Sequence, residues 1–317
     1  MPGKPAPTIA VRTRKLGRRA LSATIGLALL TGIGSGWPWF GPVQAQGSDK
    51  IVVAGGVITE VLYALGLRDR IVGVDSTSQF PPEALKDKPN IGYVRALSAE
   101  GVLSLKPSLI MLIDGAGPPD AVSLLIESGV RIARIADGLT PEGVATKIAA
   151  IGAAVGAAKP AAGLAAQTTA RFGELAGLRA KLPAKKRVLF VLSLQSGRAL
   201  VGGRNSSADA IITLAGGTNV ASDIEGYKPM TDEAIIAAAP DLVLMMRNSS
   251  AHNTTPDELF ALPSFSQTPA AAGKRLVHMD GLYLLGFGPR TPFAARDLMA
   301  AIYPEVTIPQ LKTASTP

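Results

Sequence analysis

Residues 51–74 read IVVAGGVITEVLYALGLRDRIVGV, and this stretch decides the class of fold. Its first four residues, Ile51–Ala54, are apolar and rich in β-branched side chains, which is typical of a buried strand. A glycine pair ends that strand, and a helical pattern then begins at Thr59 and closes at Gly66. The run Ile71–Val74 has the pattern of a second strand. A strand, a helix and another strand in so short a span predict a parallel sheet in an α/β architecture.

The alternation of strands and helices continues further along the chain. Strand patterns cover 108–113 and 130–135, and a helix pattern covers 119–128 between them. Strands resume at 188–192, and a second α/β set runs on to Tyr303. The sequence therefore predicts two α/β sets in succession.

Residues 141–182 separate these two sets. They are alanine-rich, contain no strand pattern and are interrupted once, near Lys159-Pro160. The second part, 161–182, predicts one helix of about 30 Å. We expect two Rossmann-like lobes joined by one long α-helix, with a ligand cleft between the lobes. The expected divisions are a signal peptide at 1–45, an N-terminal lobe at 46–140, a helical connector at 141–183 and a C-terminal lobe at 184–317.

Residues 97–110 and 230–243 repeat one pattern. Each segment has a hydroxyl residue at the start of a helix, an early glutamate (Glu100 or Glu233), a proline stop and a strand. Each also follows a Gly-Tyr pair. Helix–proline–strand units are common in α/β proteins, which explains part of the match. The matched glutamates and Gly-Tyr pairs favour two related lobes.

The net charge of +8 comes mainly from the first 45 residues. That segment contains six of the 32 Lys and Arg residues and no acid, so the remaining 26 cations face 24 acids. A basic stretch ending at Arg19, an apolar run of about 14 residues and a small-x-small pattern ending at Ala45 predict a cleaved secretory signal. An uncleaved anchor with Trp37 and Trp39 at the membrane interface is the alternative. The near-neutral remainder argues against nucleic-acid binding.

Several kinds of chemistry are missing from the sequence. With no cysteine, the chain has no disulfides, no thiolate metal site and no lipid anchor on cysteine, so we expect a soluble protein of a Gram-negative periplasm. There is no G-x-S-x-G elbow, phosphate-loop lysine motif or H-E-x-x-H pair. The only histidines, His252 and His278, are too few for a dedicated transition-metal carrier.

Tyrosine and arginine in loops remain as candidate binding groups. Tyr93 lies in the loop 90–95, before the Ser98 helix start, where α/β proteins place ligands. Tyrosine is one of the axial ligands of haem iron. Because tyrosine side chains ordinarily ionise only near a pH of about 10, a neighbouring cation must favour the phenolate, and Arg95 could supply it. The alternative is a surface tyrosine that packs its ring on the edge of the lobe.

The chain from residue 50 to 303 resembles the periplasmic haem-binding proteins of bacterial ABC haem importers. These belong to a class of binding proteins with a helical backbone that also carries cobalamin and siderophores. The segments that carry the resemblance are 58–66, 72–77, 92–101 (GYVRALSAEG), 106–107, 226–230 and 284–290 (LLGFGPR).

The resemblance implies roles for individual residues. Tyr93 matches the axial tyrosine of the family, and Arg95 matches the arginine that supports its phenolate. Glu100 and Glu233 match the two glutamates at the lobe tips that dock onto arginines of the permease. As residues of a helix start, both glutamates also complement the helix dipole.

Other site residues follow less directly from the resemblance. Tyr227, Arg247 and Arg290 are candidates for pocket walls or partners of the haem propionates, although Arg290 could equally bind carbonyls structurally. Some relatives use a histidine of the second lobe as an additional ligand, and the loop 193–197 offers none.

The expected function is capture of haem as a transported ligand and its delivery to an inner-membrane ABC permease with its ATPase. We expect a monomer that performs no catalysis, with an outer-membrane haem receptor upstream. The same fold carrying a ferric siderophore or cobalamin is one alternative. An exported enzyme with two lobes is the other, although no nucleophile with an adjacent base supports it.

Overall fold

The structure is a computed structural model that describes residues 50–195, 198–247 and 253–312. The predicted signal peptide at 1–45, the histidine His252 and part of the loop 193–197 lie outside these ranges. The described residues belong to a single compact unit.

Four parallel strands form the first sheet, in the order β2-β1-β3-β4. The central strand β1 is fully buried, because apolar residues face both sides of the sheet. All four strands occur where the sequence predicts them. The bounds are β1 Ile51–Ala54, β2 Ile71–Val74, β3 Leu109–Ile113 and β4 Arg131–Ile135. The helices between and beside them are α1 Gly56–Ala64, α2 Glu83–Asp87, α3 Ala99–Ser104 and α4 Pro119–Glu127. We call this sheet and its helices the first lobe.

Helix α1 begins three residues earlier than predicted. Gly55 has a φ of +139°, a conformation open to glycine, and the chain turns there directly from β1 into the helix. The backbone N–H of Gly56 donates to Thr77 Oγ1 over 2.9 Å, so a side chain from a distant loop satisfies the helix start. Thr59, the predicted start, is buried and its hydroxyl is hydrogen-bonded to Ser78 Oγ. The prediction of a start at Thr59 is therefore wrong.

Two helices connect the lobes, α5 Pro141–Ala154 and α6 Ala158–Arg179. The sequence predicts no strand over this segment, and the structure has two helices and no strand there. The single predicted break is present. It falls at residues 155–157, where Gly156 has a φ of +73°, a few residues before the predicted position near Lys159-Pro160. Pro160 lies in the first turn of α6, where its missing N–H costs no intrahelical hydrogen bond. At 22 residues, α6 is about 33 Å long.

The second sheet has six strands, five of them in the order β10-β9-β5-β6-β8, while β7 pairs with β5. Its strands are β5 Arg187–Gln195, β6 Arg198–Gly202, β7 Thr218–Asn219, β8 Tyr227–Met230, β9 Leu242–Arg247 and β10 Leu276–Asp280. The expectation of a parallel sheet fails at β6, which pairs antiparallel with both β5 and β8. The cause is the short connection between β5 and β6, which is too short for a crossover. Strand β8 consequently runs in the same direction as β5, β9 and β10.

The remaining helices surround the second sheet, and with it they form what we call the second lobe. They are α7 Ser207–Leu214, α8 Asp232–Ala238, α9 Pro256–Phe260, α10 Pro263–Ser266, α11 Pro269–Ala272, α12 Gly281–Leu285 and α13 Thr291–Ile302. One hydrophobic cluster runs from the first sheet through α5 and α6 to α13 and β5. Among the described residues, no helix is both long enough and apolar enough to cross a membrane.

Candidate ligand-binding site

The carboxyl edges of the two sheets meet at one place. A methyl group on Gly56 would lie 2.2 Å from the Thr77 carbonyl oxygen and 3.0 Å from Leu282 Cδ1. The segments that follow β1, β2 and β10 are therefore in close contact. Ligands of open α/β sheets bind beside the carboxyl ends of strands, so the site is expected along this junction.

Tyr93 lies on a loop that backbone hydrogen bonds fix to the carboxyl edge of the first sheet. Ile91 N donates to Val74 O over 2.9 Å, and Ser76 N donates to Gly92 O over 2.8 Å. The loop thus extends the sheet beyond the end of β2. The scaffold therefore holds the backbone that carries Tyr93.

A tight turn follows Tyr93 and directs two side chains outward. Ala96 N donates to the Tyr93 carbonyl over 2.8 Å, and Gly117 N donates to the Val94 carbonyl over 3.0 Å. Val94 is buried in the core of the first lobe, whereas Tyr93 is 50% exposed and Arg95 is also exposed. The structure therefore presents a phenol and a guanidinium from one turn, both outside the core.

A buried aspartate organises the neighbouring loop, residues 75–80. The carboxylate of Asp75 accepts hydrogen bonds from Gly55 N, from Thr77 N and Oγ1, and from Ser78 Oγ, at 2.6–3.1 Å. Four charge-assisted bonds make this loop rigid. The loop ends at Phe80, whose side chain is 37% exposed.

On the second lobe, Arg247 is the last residue of β9 and is exposed. It is paired in register with Asp280 of β10, and His278 is paired with Met245 on the same face. The pKa of His278 is lowered, mainly by burial and also by the charge of Arg247. The imidazole is consequently favoured in its neutral form, beside a guanidinium at the carboxyl edge of the sheet.

Tyr227 lies elsewhere in the second lobe. It begins β8, opposite Gly202, about three residues below the carboxyl end of that strand. Its hydroxyl is hydrogen-bonded to Ser207 Oγ at 2.8 Å, and its ring packs edge-on against Phe190. These contacts make Tyr227 a packing residue in this structure, and we leave it out of the proposed site.

Arg290 is bound to the first lobe. Its Nη2 donates to Glu60 Oε2 over 2.9 Å, and its backbone N–H donates to Oε1 of the same carboxylate. Its guanidinium carbon lies 3.5 Å from the centre of the Phe80 ring and 5.2 Å from that of Tyr283. The pKa of Tyr283 is raised, chiefly by burial and then by its hydrogen bond to Asp297, so this tyrosine stays protonated.

Glu100 and Glu233 occupy equivalent positions in the two lobes. Each is the second residue of its helix, is exposed, and follows a hydroxyl residue that caps the helix. The Ser98 and Thr231 hydroxyls each accept a backbone N–H over 3.2 Å. Since α3 follows the Tyr93 loop and α8 follows the carboxyl end of β8, both glutamates lie at carboxyl edges.

Within the described ranges, no group of three or more His, Asp or Glu side chains is arranged to hold a metal ion. A surface depression beside α9 and α11, which includes Phe260 and Lys274, contains none of the predicted site residues. The candidate site is the junction of the two carboxyl edges, because exposed side chains suited to a ligand lie there, Tyr93 and Arg95 on the first lobe and Arg247 on the second.

The sequence analysis did not identify two residues of this junction, Glu60 and Phe80. In the sequence, Glu60 is the single charged position in an apolar helix. No residue near it in sequence indicates that its partner is Arg290. The sequence gives only a weak indication of Phe80 as a site residue. It is an aromatic residue before Pro81 and Pro82, in the segment that follows the carboxyl end of a predicted strand.

Comparison with solved structures extends over most of the chain. The chain is similar to the periplasmic heme-binding protein RhuT from Roseiflexus sp. RS-1, with 39% identity and a TM-score of 0.78, over 81% of this chain and 99% of that one. It is also similar to the periplasmic heme-binding protein BhuT in complex with two hemes. That match has 38% identity and a TM-score of 0.76, over 80% of this chain and 97% of the other.

Curated relatives are more distant in sequence. An uncharacterized ABC transporter substrate-binding lipoprotein of Bacillus subtilis, YvrC, is 26% identical over 78% of this chain and 77% of its own length. The vitamin B12-binding protein of Vibrio campbellii is 25% identical over 62% of this chain and 70% of its own length. The profile of the periplasmic binding protein family matches residues 51–282. The chain therefore belongs to the periplasmic binding protein family, whose members are substrate-binding components of ABC importers and not enzymes.

Proposed function

We propose that this protein captures ferric haem between its two lobes and delivers it to an ABC permease. The observation that carries the proposal is the half-exposed Tyr93 on a loop fixed to the carboxyl edge of the first sheet, with Arg95 on the same turn. The similarity to two heme-binding proteins at 38–39% identity supports haem as the ligand class.

Tyr93 binds the iron of haem through its phenolate oxygen. Arg95 leaves the same turn two residues later, is also exposed, and supports this ligand. Among the other tyrosines near the junction, Tyr283 keeps its proton for the hydrogen bond to Asp297. Tyr93 is thus the tyrosine near the junction that is free to offer its oxygen to a ligand.

The opposite wall is formed by the carboxyl ends of β9 and β10. Arg247 is exposed there and carries no ion pair among those described, so its guanidinium is suited to a haem propionate. The neutral imidazole of His278 lies beside it and could contact the ligand from the second lobe. The positive charge of Arg247 on this wall and the phenol of Tyr93 on the opposite wall would together fix the orientation of a flat, amphipathic ligand.

Delivery depends on Glu100 and Glu233. Both carboxylates are exposed at capped helix starts, one on each lobe, at the edges that flank the proposed cleft. We infer that they bind basic residues of the permease. A partner that grips both lobes can separate them and release the ligand.

Export to the periplasm is part of the same proposal, with residues 1–45 as a signal peptide cleaved near Ala45. A monomer is sufficient, because both halves of the site come from one chain. An outer-membrane haem receptor would supply the ligand.

The test is a comparison of three ligands on the purified protein. Hemin, cobalamin and a ferric siderophore are titrated separately into the protein, and binding is followed by the change in the visible absorption of each ligand. We expect saturable binding of hemin and at least a hundredfold weaker binding of the other two, a difference of about 3 kcal/mol. Tight binding of cobalamin with no saturable hemin binding would contradict the proposal and favour the vitamin B12 class of the relative from Vibrio campbellii.

A further inference from the structure

The segment from Gly286 to Arg290 is a wedge that joins the second lobe to the first. A methyl group on Gly288 would lie 2.7 Å from Val57 Cγ2, so only glycine permits this approach to α1. Leu284 and Phe287, which precede Gly288, are fully buried. The wedge is thus packed closely against α1 of the first lobe.

Two charged side chains of the first lobe and the connector hold this wedge. Glu60 is 6% exposed and accepts both the backbone N–H and the guanidinium of Arg290. Lys147 of α5 has a fully buried side chain and donates to the Phe287 carbonyl over 3.1 Å and to Asp137 over 2.5 Å. Buried charges of this kind are costly when left alone, so each contact resists separation of the lobes.

Arg290 also packs against the aromatic ring of Phe80, which lies beside the proposed cleft. One face of its guanidinium covers the Phe80 ring at 3.5 Å, a distance at which cation–π attraction is strong. Phe80 ends the loop that Asp75 fixes, and that loop is bonded to the Tyr93 loop through Ser76. The aromatic ring remains 37% exposed although its other side is covered.

We propose that Arg290 is a positioning residue of the ligand cleft, which fixes the separation of the lobes through Glu60 and holds Phe80 as a wall for a flat aromatic ligand. The assignment of Phe80 rests on the proposed function, whereas the assignment of the lobe contact does not. Arg290 then has a role different from direct binding of a propionate, because its guanidinium donates to the Glu60 carboxylate and covers the Phe80 ring.

The lobe contact is tested on the full-length chain, exported and purified without ligand. Because the chain has no cysteine, the exposed residues Lys86 and Ser222 can be changed to cysteine and labelled uniquely, one label on each lobe. Pulsed electron paramagnetic resonance then gives the distribution of interlobe distances. We expect Arg290→Lys and Glu60→Gln to broaden this distribution. The control Arg171→Lys, whose guanidinium lies 5.0 Å from the Phe293 ring beside the connector, should leave it unchanged.

The wall is tested by the rate at which bound hemin passes to excess apomyoglobin. Phe80→Leu removes the flat ring and keeps the apolar bulk, and we expect the dissociation rate to rise by about tenfold with no change in the distance distribution. Arg290→Lys should raise the rate by at least as much and also broaden the distribution.

Each outcome decides between the parts of the proposal. An unchanged distance distribution in both Arg290→Lys and Glu60→Gln would overturn the lobe contact, and an unchanged hemin dissociation rate in Phe80→Leu would overturn the wall. If Arg290→Lys does not fold, Glu60→Gln alone decides the first part, because glutamine keeps the size of the side chain and an oxygen for the Arg290 backbone N–H and removes only the negative charge that pairs with the guanidinium. If the wild-type protein binds no hemin, the proposed function and the wall fail together, while the ligand-free distances still decide the lobe contact.

Discussion

Arg290 and Glu60 are 230 residues apart in the chain and are joined by an ion pair of 2.9 Å between the two lobes. The carboxylate is almost completely buried and the guanidinium is largely covered by aromatic rings. The pair therefore belongs to the interior of the junction and is little screened by water. It links the segment that follows α12 to the first helix of the first lobe.

The Glu60 carboxyl makes stability depend on pH. Its pKa is raised from the ordinary value of 4.5, because burial outweighs the opposing effect of Arg290. A carboxyl with a raised pKa holds its proton more tightly in the folded state, so its contribution to stability is greatest below pH 4.5 and declines as pH rises through the folded-state pKa. We expect the wild type to lose stability relative to Glu60→Gln as the pH rises from about pH 4 to about pH 7, measured by urea unfolding. A relative gain of the wild type over that range would contradict the raised pKa.

Lys147 supports the same junction from the connector. Methionine is unbranched and one heavy atom shorter than lysine, so this replacement leaves the Phe287 carbonyl without its donor, while the half-exposed Asp137 can be hydrated. We expect Lys147→Met to lower the free energy of unfolding by about 1–3 kcal/mol. Lys159→Met, at an exposed position of α6, is the control and should change it by less than about 0.5 kcal/mol. Equal effects of the two substitutions on the free energy of unfolding would contradict the claim that Lys147 stabilises the junction.

Gly92 sets the path of the loop that carries Tyr93. Its φ of +95° is strained for any residue with a Cβ, although no atom would clash closely there. Gly92→Ala should therefore displace the loop and weaken hemin binding by about tenfold, as measured by absorption titration. Gly163→Ala in α6, where the added methyl group meets nothing within 4 Å, should keep hemin binding and stabilise the protein by about 0.5–1 kcal/mol. Unchanged hemin affinity in Gly92→Ala would show that the loop tolerates another path.

Glu100 and Glu233 are predicted to act together on the permease and not on the ligand. Each single change to glutamine should weaken docking to the permease by about fivefold, measured as stimulation of its ATPase in proteoliposomes. The two sites are on different lobes, so the double variant should lose about 25-fold, the product of the single effects. Glu127→Gln at the exposed end of α4 is the matched control. Reduced hemin affinity in any of these variants would contradict the division between ligand site and docking site.

The sequence predicts what is encoded locally. Strands β1 and β2 are apolar runs rich in β-branched residues, and the caps at Ser98 and Thr231 use hydroxyl residues beside their own helices. The start of α1 was predicted wrongly because its hydrogen-bonding partner, Thr77, is 21 residues away. The antiparallel strand β6 follows from a short connection, not from its residue pattern.

The candidate site shows the same limit. Tyr93 could be singled out because its loop, its turn and its neighbour Arg95 are contiguous in sequence. The engagement of Arg290 by Glu60 and Phe80 depends on contacts between lobes that no local pattern contains. A residue type suited to a propionate is equally suited to a buried carboxylate, and only the fold decides which of the two it meets.

The central claim is that Tyr93 binds the iron of haem. The most direct test is the visible absorption spectrum recorded while hemin is added to the wild type, to Tyr93→Phe and to Tyr227→Phe. Tyr227 is the matched control because its hydroxyl is engaged by Ser207 within the second lobe. We predict a saturable spectral change in the wild type and in Tyr227→Phe that is lost in Tyr93→Phe. The same spectrum and saturation in Tyr93→Phe as in the wild type would contradict the account.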